Sequence, residues 1–225
     1  MNSIYERSVG LLGDDNFNLI QDKVIAIFGL GGVGGTALEA LARTGFKHFI
    51  LVDFDKVDAS NLNRQILYTA KDVGRDKVNA AKERLLTING DFDIQVFNVK
   101  AQEFDFNQKI DFIVDAIDDV NGKLFLLKKA QENKISHIMS LGMANRFEPE
   151  KVHVTKLNQT RNDPLAKKIR YLVKTSGLNT AGVNVVISDE LPQKNEGKLY
   201  STMMVPSTAG LVIAKFILNS IIDNK

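Results

Sequence analysis

Residues 24–45 read VIAIFGLGGVGGTALEALARTG, a run of β-formers, five glycines between Gly29 and Gly35, and a segment with helical periodicity. No other stretch restricts the fold so much. A strand that passes through a glycine turn into a helix leaves that helix's first N–H groups unpaired, beside the positive end of its dipole. Such a turn suits a phosphate. Gly29, Gly31 and Gly34 follow the G-x-G-x-x-G spacing. Asp53 ends a second apolar run, FILVD, about twenty residues further on, where a carboxylate reaches a ribose hydroxyl. NAD, FAD and ATP all satisfy this pattern.

The rest of the chain extends the alternation. The first strand is expected over Lys23 to Phe28, its helix over about Gly34 to Arg43, and the second strand over Phe49 to Val52. FDIQVFNV, IDFIVDAID and ISHIMSLG predict a third, fourth and fifth strand. Between them, DKVNAAKERLLTI carries Val78, Ala81, Leu85 and Ile88 on one helical face, and NGKLFLLKKAQENK follows Asp119. Strands alternating with helices imply an α/β fold, a doubly wound and mostly parallel sheet of Rossmann type.

Beyond Gly142 the pattern changes to a C-terminal α/β extension. KVHVTKL and GVNVVIS read as strands, and DPLAKKIRYLVKT as a helix capped by Asp163 with Pro164 at its first position. DELPQKNEGK reads as a mobile loop. AGLVIAKFILNSII, interrupted by Lys215, Asn219 and Ser220, reads as a core-packing helix and not a membrane anchor. The expectation is one domain over 1–225, with a nucleotide-binding core over about 20–142 and a substrate-facing part over 143–225.

Composition acts mainly by exclusion. With 29 basic and 27 acidic side chains the net charge is +2, so any nucleic-acid surface must be a local patch. The chain has no cysteine, which removes disulfides, Cys-ligated zinc and any thiolate nucleophile or thioester carried on it. MNSIYERSVGLLGDDNF lacks the basic start and apolar core of a secretory leader, so a cytoplasmic location with no integral membrane segment is expected.

After Asp53 the sequence continues DFDKVDASNLNRQ and, shortly after, VGRDKV. Arg64 and Lys77 are candidates to neutralise phosphate oxygens, with Asn61 and Gln65 adding polar contacts. Two cations serve a triphosphate better than a nicotinamide. DAIDD places Asp115, Asp118 and Asp119 where the fourth strand ends, at the edge where such sheets bind ligands. Mg²⁺ takes one or two carboxylates and keeps phosphate oxygens and waters, and Asp118 is the choice for that role. Asp119 is read as the cap of the next helix. His48, His137 and His153 are read as satisfied structural histidines.

GLGGVG, the Asp53 and Asp55 pair, NLNRQ, VGRDKV and DAID together resemble the nucleotide site of the ubiquitin-activating-enzyme-like adenylating superfamily. Within it, LARTG, NLNRQI, SLGMANRFEP, DPLAKKIR and VPSTAGLVIAKFI resemble the tRNA threonylcarbamoyladenosine dehydratases, over almost the whole chain. The resemblance implies that ATP adenylates a carboxylate with loss of pyrophosphate. It places Gly29, Gly31, Gly32 and Gly34 along the phosphates and Asp53 on the ribose. Asn61, Arg64 and Lys77 then hold the triphosphate, and Asp118 positions Mg²⁺. It also implies a homodimer in which Arg7, in ERSVGLLG, reaches the partner's site and acts as an arginine finger does. Asp163 and Met143 depart from the family pattern, standing where some relatives have a cysteine and a small residue.

In N6-threonylcarbamoyladenosine the activated carboxylate and its attacking group belong to one nucleoside, so a ring closes without an enzyme nucleophile and the missing cysteine is accounted for. Held geometry is worth roughly 7–11 kcal/mol in such intramolecular steps. A tRNA substrate calls for a basic surface. Between His153 and Lys174, six basic side chains face the single acid Asp163, and Lys167, Lys168, Arg170 and Lys174 are expected to lie toward water and meet tRNA phosphates. A sulfur-transfer partner protein is a further expectation. The alternatives are an adenylyltransferase acting on the C-terminal glycine of a ubiquitin-like sulfur carrier, an NAD-dependent oxidoreductase, and a non-catalytic nucleotide-binding module.

Overall fold

A computed structural model describes residues 4–223. Two short helices, α1 (Glu6–Leu12) and α2 (Asp14–Gln21), precede β1 (Val24–Phe28), α3 (Gly32–Thr44) and β2 (His48–Val52). Then come α4 (Lys77–Leu86), β3 (Asp93–Phe97), β4 (Phe112–Asp115), α5 (Val120–Glu132) and β5 (Ser136–Ser140). The C-terminal part adds β6 (Val152–Lys156), α6 (Pro164–Thr175), β7 (Asn184–Ser188) and α7 (Met204–Ile222).

The seven strands form one sheet in the order β3-β2-β1-β4-β5-β7-β6. All neighbours are parallel except β6, which runs antiparallel to β7 at the edge. The expected C-terminal extension is therefore built as two more strands on the same sheet. Period-2 alternation divides the central strands between the two faces of the sheet. Ile25 and Ile27 of β1 pack on the side of α3, α4 and α7, while Ala26 and Phe28 pack on the side of α5. A third cluster joins Met139, Val185 and Ile187 to Ile169 and Val173 of α6.

The helix faces follow the sequence pattern. Val78, Ala81 and Leu85 of α4 are buried, with Ile88 packed partly against them. Asp163 caps α6, accepting the Ala166 N–H at 2.9 Å, and Pro164 occupies its first turn. Of the described residues only α7 forms a helix long and apolar enough to cross a membrane. Ala209, Ile213 and Ile217 of that helix are buried in the core that α3 also lines, as expected of a core-packing helix.

Two expectations need correction. α3 begins at Gly32, with Gly31 as its N-cap, and not at Gly34. The polar stretch DELPQKNEGK is anchored rather than free. Glu190 is buried and accepts the N–H groups of Phe147 and Glu148, each at 2.8 Å, because its carboxylate closes a turn that otherwise leaves two donors unpaired.

The histidines are only partly as expected. His48 Nδ1 lies 3.0 Å from Asp93, and His153 Nδ1 lies 3.1 Å from the Lys151 carbonyl. His137 is buried with both ring nitrogens lacking a hydrogen-bond partner. The nearby Asp115 carboxylate is directed to Lys123 instead, and His137 Nε2 stays 3.8 Å from its other oxygen.

Candidate active site

The sheet order reverses direction between β1 and β4, and the crevice at the carboxyl ends of those strands is where such folds bind ligands. Gly29 opens the turn after β1 with φ +88°, and a Cβ there would lie 2.6 Å from the Ala116 carbonyl oxygen. At Gly34 a Cβ would fall 1.9 Å from the Gly29 oxygen. Neither position admits a side chain, which lets helix and loop close on each other. Gly31 supplies no side-chain cap to α3, so the first-turn N–H groups are left for an anion. The loop is held on both sides: Leu30 N–H donates to Asp53 Oδ2 at 2.7 Å, and the Tyr68 hydroxyl donates to the Leu30 oxygen at 2.9 Å.

Asp53 is buried, and its other oxygen accepts the Asp55 N–H at 2.9 Å. Burial pushes its carboxyl above the ordinary range, while Lys77 and the two N–H donors pull it back. Burial, with the charges of Asp53, Asp55 and Asp72, raises the Tyr68 phenol far above its usual value and keeps it a donor. Lys77, the first residue of α4, is itself buried; its Nζ lies 2.7 Å from Asp55 Oδ2 and 4.0 Å from Asp53 Oδ2.

Asn61 ends a short 3-10 turn, and its Oδ1 accepts the Asp58 N–H at 3.2 Å. Arg64 donates to the Ser60 oxygen and Asn63 Oδ1, both at 2.8 Å. Gln65 is buried with Oε1 unpartnered. Asp118 is exposed and has no hydrogen bond or ion pair among the described residues. Asp119 caps α5, accepting the Asn121 and Gly122 N–H groups at 3.2 and 2.8 Å.

Gly29, Gly31, Gly32, Asp53, Asp55, Asn61, Arg64, Gln65, Lys77 and Asp118 thus line one cleft of about 690 Å³. Gly34 does not line it and serves the contact between helix and loop. Arg7 is exposed on α1, which packs near the far end of α3, where the Tyr5 hydroxyl donates to the Ala42 oxygen at 3.2 Å. It is not among the residues that line the cleft of its own chain. Lys167, Lys168 and Lys174 are exposed on α6. Arg170 departs from expectation: it is half-buried and donates to the Thr160 oxygen at 2.9 Å and to the Thr160 hydroxyl, since its helix position faces the chain that enters α6.

Sequence reasoning missed two walls. Phe54 and Lys100, with Nζ 5.6 Å from the ring centroid, flank the cleft beside Gln102, whose amide donates to Asp119 at 2.8 Å. A second lobe of about 730 Å³ adjoins the first and shares Gly31, Gly32, Arg64 and Asp118 with it. Behind it, buried Arg146 donates to the Glu190 oxygen at 2.9 Å and to the Gly142 oxygen, and lies 3.4 Å from Asp163. Burial lowers its pKa and the Asp163 and Glu190 charges oppose that. Asp163 thereby does more than cap α6, because its Oδ2 also accepts the Gly142 N–H at 3.1 Å. SLGMANRFEP contains Arg146, but no local pattern points from it to residues 163 and 190.

An uncapped helix start, two cations and an unpaired carboxylate around one crevice define a nucleotide-binding protein of the adenylating kind, and the chain belongs to the ThiF family, which it matches over residues 5–207. It is similar to the tRNA threonylcarbamoyladenosine dehydratase of Bacillus subtilis, with 31% identity over 93% of this chain and 91% of the relative. The Escherichia coli dehydratase is 34% identical over 80% of this chain and 71% of its own length. The crystal structure of that E. coli enzyme, TcdA, in complex with ATP superposes with a TM-score of 0.90 at 30% identity, covering 98% of this chain and 94% of the other. E. coli MccB with ATP, at 18% identity and a TM-score of 0.69, shares the fold.

Proposed function

We propose that this protein catalyses the ATP-dependent dehydration of N6-threonylcarbamoyladenosine in tRNA. The threonyl carboxylate attacks the α-phosphorus of ATP, pyrophosphate leaves, and an internal nucleophile of the same nucleoside displaces AMP as the ring closes. The observation that carries the reading is the cleft, where the uncapped start of α3, Arg64, Lys77 and Asp118 converge. Similarity to dehydratases of matching length, one of them solved with ATP, supports the same substrate and nucleotide.

Within this reading Gly29, Gly31 and Gly32 line the phosphates and Asp53 takes the ribose. Lys77 exchanges Asp55 for phosphate oxygens, joined by Arg64 and by the Asn61 and Gln65 amides. Among the described residues no group of three or more His, Asp or Glu side chains converges as a metal cage. One free carboxylate fits Mg²⁺ bound mainly through nucleotide oxygens and water, and Asp118 would hold it. When bound, the ion neutralises charge on the phosphates. Residues 20–142 hold nucleotide and 143–225 face the substrate within one domain, in a cytoplasmic homodimer that receives Arg7 from its partner and meets tRNA through Lys167, Lys168 and Lys174.

The test is mass spectrometry of nucleosides from threonylcarbamoylated tRNA incubated with the protein and Mg-ATP. The expected result is ATP-dependent loss of one water, reduced about a hundredfold or more by Asp118→Ala. ATP consumption with a Gly-Gly-ended carrier protein and none with modified tRNA would overturn the reading in favour of a carrier adenylyltransferase.

A further inference from the structure

The second lobe has walls that restrict what it accepts. Met143, Leu165, Leu199, Tyr200 and Pro206 give it apolar surface, and Gly31, Arg64 and Asp118 connect it to the nucleotide lobe. A carboxylate that reacts beside Asp118 while ATP fills the first lobe brings the group next to it toward the second.

Tyr200 is 57% exposed, and its hydroxyl has no partner among the described residues. Its backbone, by contrast, is tied at both ends to Asn145: Tyr200 N–H donates to Asn145 Oδ1, and Asn145 N–H donates to the Tyr200 oxygen, each at 2.8 Å. Asn145 also donates through Nδ2 to the Lys198 oxygen at 2.9 Å and accepts from Asn195 Nδ2 at 3.1 Å and Gln193 N–H at 2.8 Å. Its φ of 59° is a left-handed conformation that asparagine tolerates better than most residues. One residue therefore fastens the segment 193–200 along the lobe, and that segment presents an aromatic ring on a fixed backbone.

We propose that the second lobe is the subsite for the nucleobase of the carboxylate-bearing substrate, with Tyr200 as the stacking residue and Asn145 as the residue that positions it. The inference rests on the adenylating reading of the cleft. A flat, sequence-tolerant π-surface at an exposed position suits an extruded base, whereas the extended tail of a carrier protein pairs through main-chain groups, and at Gln193, Lys198 and Tyr200 Asn145 already engages several of these.

Steady-state AMP release with threonylcarbamoylated tRNA, and ATP binding by calorimetry, test this on the full chain. Tyr200→Ala is expected to raise KM for the tRNA roughly tenfold or more, as loss of one base–aromatic stack implies, with ATP affinity unchanged. Tyr200→Phe retains the wild-type KM. Asn145→Gly keeps the left-handed backbone but loses the side-chain ties, and raises KM in the same direction. A wild-type KM in Tyr200→Ala overturns the subsite while leaving the function standing. No tRNA-dependent AMP release by the wild type overturns the function and the subsite with it.

Discussion

The carboxylates of the site divide by what touches them. Asp53 faces the cleft yet already takes two backbone N–H groups, so it holds the glycine turn whether or not nucleotide is bound, and the proposed ribose contact would come on top of that. Asp118 is held by nothing among the described residues and is free for a ligand. Asp119, one position on, is consumed by the helix it starts. Burial alone pushes the Asp119 carboxyl up, but hydrogen bonds from Gln102, Gly122 and Asn121 and the Lys100 charge together hold it below the ordinary 3.8. A depressed folded-state pKa adds stability that is fully present above the unfolded value and is lost as pH falls through the folded one. Asp119→Ala is therefore expected to cost about 1 kcal/mol in urea denaturation at neutral pH, with the gap to wild type narrowing only below the ordinary value.

At the scale of elements, Lys123 links the two strands that feed the site. It is fully buried in α5, and Nζ lies 2.8 Å from both Asp115 Oδ1, at the end of β4, and the Ser140 oxygen, at the end of β5. The loops carrying Asp118 and Asn145 leave from those two ends. Lys123→Met strands a buried carboxylate and should lower stability by about 3–5 kcal/mol. Adding Asp115→Asn should recover part of that loss, and denaturant midpoints of the two variants check it. Recovery would be absent if the lysine served only to fill space.

At the scale of the molecule, Arg7 does not line the cleft of its own chain. In a homodimer that exchanges these arginines, Arg7→Ala lowers turnover far more than ATP affinity, and mixing Arg7→Ala with Asp118→Ala chains restores activity because one hybrid site is intact. Absence of complementation in a confirmed mixed dimer would argue for a site complete within one chain. The exposed lysines of α6 belong to the same scale. Lys167→Glu with Lys168→Glu is expected to weaken tRNA binding and flatten its salt dependence, measured by titration at several salt concentrations, while Arg170, engaged with Thr160, matters mainly to the helix.

The strand–glycine–helix order, the parallel sheet and the position of Asp53, Lys77 and Asp118 were legible in the chain itself, because period-2 and period-3.6 patterns and glycine spacing are local properties. The caps at Asp119 and Asp163 were legible for the same reason. Tertiary structure decided what depends on distant partners. It buried Glu190 under Phe147 and Glu148, and took Arg170 out of the basic face. It left the His137 ring nitrogens without hydrogen-bond partners, and it tied Asn145 to a segment some fifty residues away. Hydrogen bonds between residues far apart in sequence leave no periodic trace, so the lobe built on the glycine turn could be read from one dimension and the lobe bordered by Asn145 and Tyr200 needed three.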